Sequence, residues 1–186
     1  MVRYRLPHSV TFHGILPTTF VWKRTLTTTA TRAVVYQSNG NPASVLSVVT
    51  CPPPTKPTGS SVNVKHLLSP INPADINAVE GVYPNQPRAR QLNVNGQECT
   101  LHIPGNEGLG EITDVGEGVK SIRKGDWVVF GKGQSGTWSS GQTIEEGDVI
   151  KVDRETGISA VNAATLLVRP IHDHSGTHLL IRRLRR

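Results

Sequence analysis

A chain of 186 residues with 5% aromatics, 18 glycines and 13 prolines suits one turn-rich domain and crowds two. Its net charge of +6 does not point to a nucleic-acid surface: residues 1–30 hold Arg3, Arg5, Lys23 and Arg24 without an acid, residues 169–186 hold five arginines against Asp173, and residues 31–168 are left with −2. Cys51 and Cys99 are too few and too far apart for a disulfide framework or a Cys-rich metal site, and no run approaches the ~20 apolar residues of a membrane span.

In chain order, residues 1–30 read as an address. They are rich in Arg, Thr and Pro, and the first acid of the chain is Asp75. A cationic, acid-free segment of this kind is the pattern of a mitochondrial transit peptide, with cleavage expected between Thr25 and Arg32. A basic leader without an address is the alternative.

Residues 33–36 are an apolar, β-branched run and predict a first strand, followed by a turn over residues 37–42. Residues 45–49 predict a second strand, stopped by the proline cluster of residues 52–57, which lacks ladder donors. Residues 61–68 alternate as a strand with one wet face. Asn72-Pro73 sets an extended entry to one or two helical turns over residues 74–80, ended by Gly81. Residues 84–96 are polar, carry Arg88 and Arg90, and predict a mobile loop.

Residues 102–116 bring several glycines close together around a strand. Lys124-Gly-Asp turns into a buried strand at residues 127–130, and Gly136-Thr-Trp-Ser139 begins the next. Glu146-Gly-Asp148 turns into residues 149–152, and residues 158–168 predict a helix with Ser159 as N-cap. The expectation is a mainly β domain with short helices, built as a partly open barrel.

Several motifs in this order resemble the N-terminal catalytic domain of the medium-chain dehydrogenase/reductase superfamily, from about Thr31 to Val168. They are the turn and strand of residues 37–46, Asn72-Pro-Ala-Asp-Ile-Asn77, Gly81-Val-Tyr-Pro84, Gly105-Asn-Glu-Gly-Leu-Gly110, Gly125-Asp-Trp-Val128 and Gly136-Thr-Trp-Ser139. The second and third together resemble the mitochondrial 2-enoyl thioester reductases. The resemblance implies a GroES-like fold and NADPH-dependent reduction of trans-2-enoyl thioesters in fatty acid synthesis. It also implies acyl carrier protein or coenzyme A as carrier, a homodimer and a matrix location. It divides the chain into a transit peptide (1–30), a GroES-like domain (31–168) and a divergent basic tail (169–186).

The resemblance also sets the site. Zinc alcohol dehydrogenases of the superfamily carry Gly-His-Glu where this chain has Gly105-Asn106-Glu107, and a Cys ligand near Asp75. A catalytic zinc needs about three good protein ligands, so none is expected here. His172, His174 and His178 lie outside the resemblance and read as incidental.

Tyr83 stands where the related reductases carry a catalytic tyrosine. Enoyl reduction builds negative charge on the thioester oxygen, and a neutral hydroxyl aimed there stabilises it. Asn72, Asp75 and Asn77 are expected to orient the Tyr83 loop through side-chain to backbone bonds. Trp138 either lines the substrate or cofactor cleft or packs in the core. Glu107 reads as structural. Arg88 and Arg90 either sit in a solvated loop or meet acidic groups of coenzyme A or acyl carrier protein.

After Val168 the family pattern continues with an Asn-Pro turn, a helix and the glycine-rich NADPH site, and residues 169–186 carry neither that motif nor a βαβ unit. The expectation is a chain without the cofactor domain and inactive alone, its tail arising from a changed reading frame or a retained intron. Unpaired strands or apolar surface would then be exposed. A noncatalytic GroES-like binding or assembly module whose basic tail meets an acidic partner is the alternative, and a quinone reductase-like enzyme is a further one.

Overall fold

The computed structural model describes residues 30–166. Its strands are β1 (Thr31–Val35), β2 (Ser47–Cys51), β3 (Ser61–Leu68), β4 (Ala89–Val94), β5 (Gln97–His102), β6 (Leu109–Val115), β7 (Trp127–Phe130), β8 (Gly141–Glu145) and β9 (Val149–Val152). The helices are α1 (Pro42–Val45), α2 (Pro73–Glu80) and α3 (Ala160–Ala164).

A five-stranded sheet in the order β8-β3-β6-β7-β9 is the centre, flanked by the ribbons β1-β2 and β4-β5. Every ladder is antiparallel. Strand β3 is the hub: it pairs β8 in straight register, while against β6 the register slips between Asn63 and Val64 and again between His66 and Leu68. Such irregularities bend the strand and increase its twist. The expected β-rich, GroES-like architecture is present. Among the described residues the strands form an open sheet with two ribbons and do not close a barrel.

The alternation of side chains along a strand explains the two layers of core. Val128 and Phe130 of β7 pack with Val62, Val64 and Ile112 on one face. Val129, between them, joins Leu109, Val152, Ala163 and Ala164 on the other, so α3 caps that face with small residues. Ser159 caps α3 as expected, its hydroxyl accepting the Asn162 N–H at 3.2 Å. A third cluster, Ala33, Val35 and Ile103, seats β1 against the loop after β5. Backbone bonds fasten that contact, the Tyr36 N–H to the His102 carbonyl at 3.0 Å and the reverse at 2.8 Å.

Three segments differ from the sequence reading. Residues 84–96 are not one loop, since β4 begins at Ala89 and pairs β5 from Ala89–His102 to Val94–Gln97. The hairpin closes at Asn95-Gly96, both with positive φ (53° and 86°), the pair that a tight hairpin turn requires. Residues 42–45 form a helical turn, capped by the Asn41 side chain, so the second strand starts only at Ser47. Residues 136–139 give only an isolated bridge, Ala33 to Ser139, and the strand proper runs from Gly141. The left-handed Gly136, φ +74°, turns the chain before pairing can extend.

The expected leader, apart from Ala30, and the whole of the expected basic tail lie outside the described residues. Within them, no helix is long and apolar enough to cross a membrane.

Candidate active site

Helix α2 organises the site from both ends. At its start Asn72 is the N-cap and Pro73 occupies the first helical position, where a missing N–H costs nothing. The third helical residue, Asp75, folds back so that Oδ2 accepts the Asn72 N–H at 2.8 Å. Its other oxygen accepts the Asn106 N–H at 2.9 Å and the Asn106 side-chain Nδ2 at 2.7 Å. Asp75 is wholly buried. Burial pushes its carboxyl above the ordinary carboxylate range, opposed by the donors from Asn72 and Asn106.

This knot reaches further. Asn72 Nδ2 donates to Glu107 Oε1 at 3.0 Å, and Thr137 Oγ1 donates to the Glu107 carbonyl at 2.7 Å. Asn106 Oδ1 accepts the Gln134 N–H at 2.9 Å, which ties the loop of residues 131–136 to the same cluster. Asn72 and Asp75 thus act at the entrance of α2, joining it to Asn106 and Glu107.

At the far end, Gly81 adopts φ +85° and its N–H bonds the Ala78 carbonyl, the left-handed stop expected from sequence. The Asn77 carbonyl then accepts the Val82 N–H at 3.0 Å and the Tyr83 N–H at 3.1 Å. Asn77 therefore holds the turn through its backbone, while its side chain is exposed. A second hold comes from a remote loop. Asn39 Nδ2 donates to the Ala78 carbonyl (2.9 Å), the Val79 carbonyl (3.2 Å) and Gln86 Oε1 (3.2 Å). Gln86 Nε2 in turn donates to the Tyr83 carbonyl at 2.7 Å. A Cβ on Gly81 would lie 3.0 Å from the Asn39 Cβ, so the clamp sits directly over the turn.

The half-buried Tyr83 faces a cleft of ≈ 610 Å³ that it shares with Arg88, Arg90, Asn106, Lys132 and Gln134. Trp138 lies elsewhere. Its Nε1 donates to the Pro70 carbonyl at 3.2 Å, and it lines a separate groove of ≈ 510 Å³ with Ile71 and Val48. The structure therefore brings Asn72, Asp75 and the Tyr83 turn onto one helix and leaves Trp138 out of that cleft.

Sequence reasoning did not assign Asn39, Gln86 or Asn106 to the site. Asn106 was legible only as the substituted position of a zinc ligand, and nothing local to residues 37–42 points to a turn 39 to 47 residues away. Arg90, read as a loop residue, is anchored at the start of β4 by Gln142 Oε1 at 2.7 Å and the Ser135 carbonyl at 2.8 Å.

No group of three or more His, Cys, Asp or Glu side chains comes together among the described residues. At the positions discussed for zinc, Asp75 and Asn106 bind each other. A dinucleotide phosphate site needs a glycine-rich turn between a parallel strand and a helix. Residues 30–166 contain only antiparallel ladders and do not fit that requirement.

Residues 58–168 match the alcohol dehydrogenase GroES-like domain, and the chain belongs to that family. More particularly, it is similar to the mitochondrial enoyl-[acyl-carrier-protein] reductases. It is 37% identical over 140 residues to that of Schizosaccharomyces pombe and 40% identical over 139 residues to that of Yarrowia lipolytica. These alignments take in 75% of this chain and 37% and 35% of those proteins, so the chain spans little over a third of their length.

The fold agrees. The mitochondrial 2-enoyl thioester reductase heterodimer Etr1p/Etr2p of Candida tropicalis matches at TM-score 0.66 and 31% identity, over 74% of this chain and 40% of that one. Etr1p with NADP and crotonyl-CoA matches at 0.69 and 32%, over 77% and 42%.

Proposed function

We propose that this chain supplies the thioester side of an NADPH-dependent trans-2-enoyl thioester reductase of mitochondrial fatty acid synthesis. Its substrates are enoyl groups on acyl carrier protein or coenzyme A and its compartment is the matrix, while the homodimer of the family is expected only once a nucleotide-binding domain is joined to it. The Tyr83 turn carries this reading, because it fixes the backbone of a phenol at three points and leaves the ring on an open cleft.

Saturating the double bond adds hydride at Cβ and a proton at Cα, so negative charge grows on the thioester oxygen. The Tyr83 hydroxyl is the donor to that oxygen, and its value depends on being oriented before the charge develops. Asn77, Asn39 and Gln86 provide that orientation. Polarisation by a phenol requires no zinc. The NADPH phosphate site lies outside what residues 30–166 form, so we expect reduction only when a nucleotide-binding domain is joined to this one.

The test is to graft residues 31–168 onto the nucleotide-binding domain of the Candida tropicalis reductase. The graft is expected to reduce crotonyl-CoA with NADPH, while the 186-residue chain alone binds no NADPH. A graft that folds and binds NADPH without reducing the thioester would favour the noncatalytic binding module. NADPH binding by the chain alone would overturn the domain division.

A further inference from the structure

The turn that carries Tyr83 is held on its helix side by Asn39 and Gln86, and its strand side has a hold of its own. His102, the last residue of β5, places Nδ1 at 2.8 Å from the Pro87 carbonyl. A carbonyl only accepts, so Nδ1 carries a proton and donates it. Residues 84–86 are exposed and Pro87 is buried, so Pro87 is where the chain re-enters the domain after Tyr83. The β4-β5 ladder ends at the Ala89–His102 pair, and the His102 side chain reaches past it to fasten the stretch leading back to Tyr83.

His102 is itself braced. Its ring stacks on Tyr36, with centroids 5.0 Å apart and planes 22° apart, and the two residues exchange both backbone hydrogen bonds. Tyr36 is 2% exposed, and its hydroxyl is buried without a hydrogen-bond partner. A buried hydroxyl left so costs about 1–3 kcal/mol. The phenol therefore contributes through its ring, the platform on which the imidazole lies.

Tyr36 also opens the loop that reaches the helix side of the Tyr83 turn. There Asn39 bonds the Ala78 and Val79 carbonyls, and the Gly40 N–H bonds the Val79 carbonyl at 3.0 Å. The segment from Gly81 to Pro87 is thus pinned at both ends by one frame, residues 36–40, directly on the helix side and through His102 on the strand side. A loop held at one end swings about it, whereas a loop held at both fixes the side chain between them.

We propose that His102 is a positioning residue of the reduction: its Nδ1–H, braced by Tyr36, fixes Pro87 and so sets where the Tyr83 hydroxyl meets the thioester oxygen. The assignment rests on the thioester reading above. It gives His102 no contact with the substrate and no proton to transfer.

The test is a pair of variants in the graft with opposite consequences. His102→Phe keeps a flat ring for the stack and deletes the donor, while His102→Asn deletes the ring and keeps an N–H donor near the place of Nδ1. With crotonyl-CoA and NADPH, kcat is expected to fall about 10- to 100-fold in His102→Phe, the scale of a misplaced reacting group, with KM and NADPH binding nearly unchanged. His102→Asn is expected to keep most of the turnover. In a Tyr83→Phe background His102→Phe is expected to add no further loss, because there is no hydroxyl left to misplace.

A loss in His102→Asn that equals or exceeds that in His102→Phe overturns the proposal, since packing rather than the donor would then matter. Unchanged turnover in His102→Phe overturns it too, as does a loss that adds fully to that of Tyr83→Phe. Unchanged turnover in Tyr83→Phe alone removes the Tyr83 reading, and with it the role of His102. One measurement needs no variant to fold: the ring nitrogen chemical shifts of His102 in the intact 186-residue chain are expected to show a proton on Nδ1. A ring protonated at Nε2 alone overturns the hold.

Discussion

The two ends of α2 are held in opposite ways. Its start rests on a buried carboxylate, Asp75, with three donors converging on it from Asn72 and Asn106. Its end rests on the carbonyl of Asn77 and on two amide side chains, Asn39 and Gln86, whose mutual bond is exposed. A buried polar knot is all-or-none, because removing one member strands its partners, whereas an exposed clamp can be lost with water taking its place. The first end sets whether the domain holds together, and the second sets where Tyr83 points.

The largest expected effect that would break this division is at Asp75. Asp75→Ala leaves three N–H donors without their acceptor and is expected to destabilise the domain by about 3 kcal/mol or more. Urea unfolding measures it; a loss below about 1 kcal/mol would show that the knot is not the hold described.

A pH dependence of similar size belongs to the Arg90 side. His66 Nδ1 donates to the Ser139 carbonyl at 2.7 Å and its Nε2 faces the Gln142 amide nitrogen, a donor, at 3.3 Å, an arrangement that suits the neutral ring. Burial, reinforced by the nearby Arg90 charge and opposed by the Ser139 hydrogen bond, lowers its pKa to about 4. Between about 4 and the unfolded value near 6.5 the unfolded chain binds more protons, so the stabilisation is complete above pH 6.5. It is lost as pH falls to 4, by roughly 3 kcal/mol on an order-of-magnitude basis. Asp75, shifted upward, works in the opposite sense at lower pH, since its folded form takes up a proton first. Urea midpoints across pH 4–7 for the chain and for His66→Phe check this, and an unchanged slope in the variant would remove His66 from the account.

The smallest expected effect on stability is the most informative about the turn. Asn39→Ala is expected to cost about 1 kcal/mol while speeding hydrogen exchange at the Val82 and Tyr83 amides severalfold. Exchange there that tracks global unfolding in both proteins would dissolve the distinction between the two ends.

These same contrasts decide what the sequence revealed. The helix α2 was legible because its cues are local: Asn72-Pro73 before it, Asp75 in its first turn and Gly81 after it. The buried runs at residues 61–68 and 127–130 were legible for the same reason. The β4-β5 hairpin was hidden by polar residues, although Asn95-Gly96 carried the turn signal.

The Asn39 clamp, the Asp75–Asn106 pair and the seat of Arg90 were not legible. They join residues 31 to 52 positions apart, and only the fold brings them together. The surface left apolar, with Val48, Ile71 and Val82 each about 70% exposed, accords with the expectation of exposed apolar area.

The central claim is that an anchored Tyr83 stabilises charge on a thioester oxygen, and Tyr83→Phe in the grafted reductase tests it most directly. With crotonyl-CoA and NADPH, kcat is expected to fall by about 10²–10³, the loss typical of one preorganised donor, with KM nearly unchanged. Turnover equal to the unsubstituted graft would contradict it.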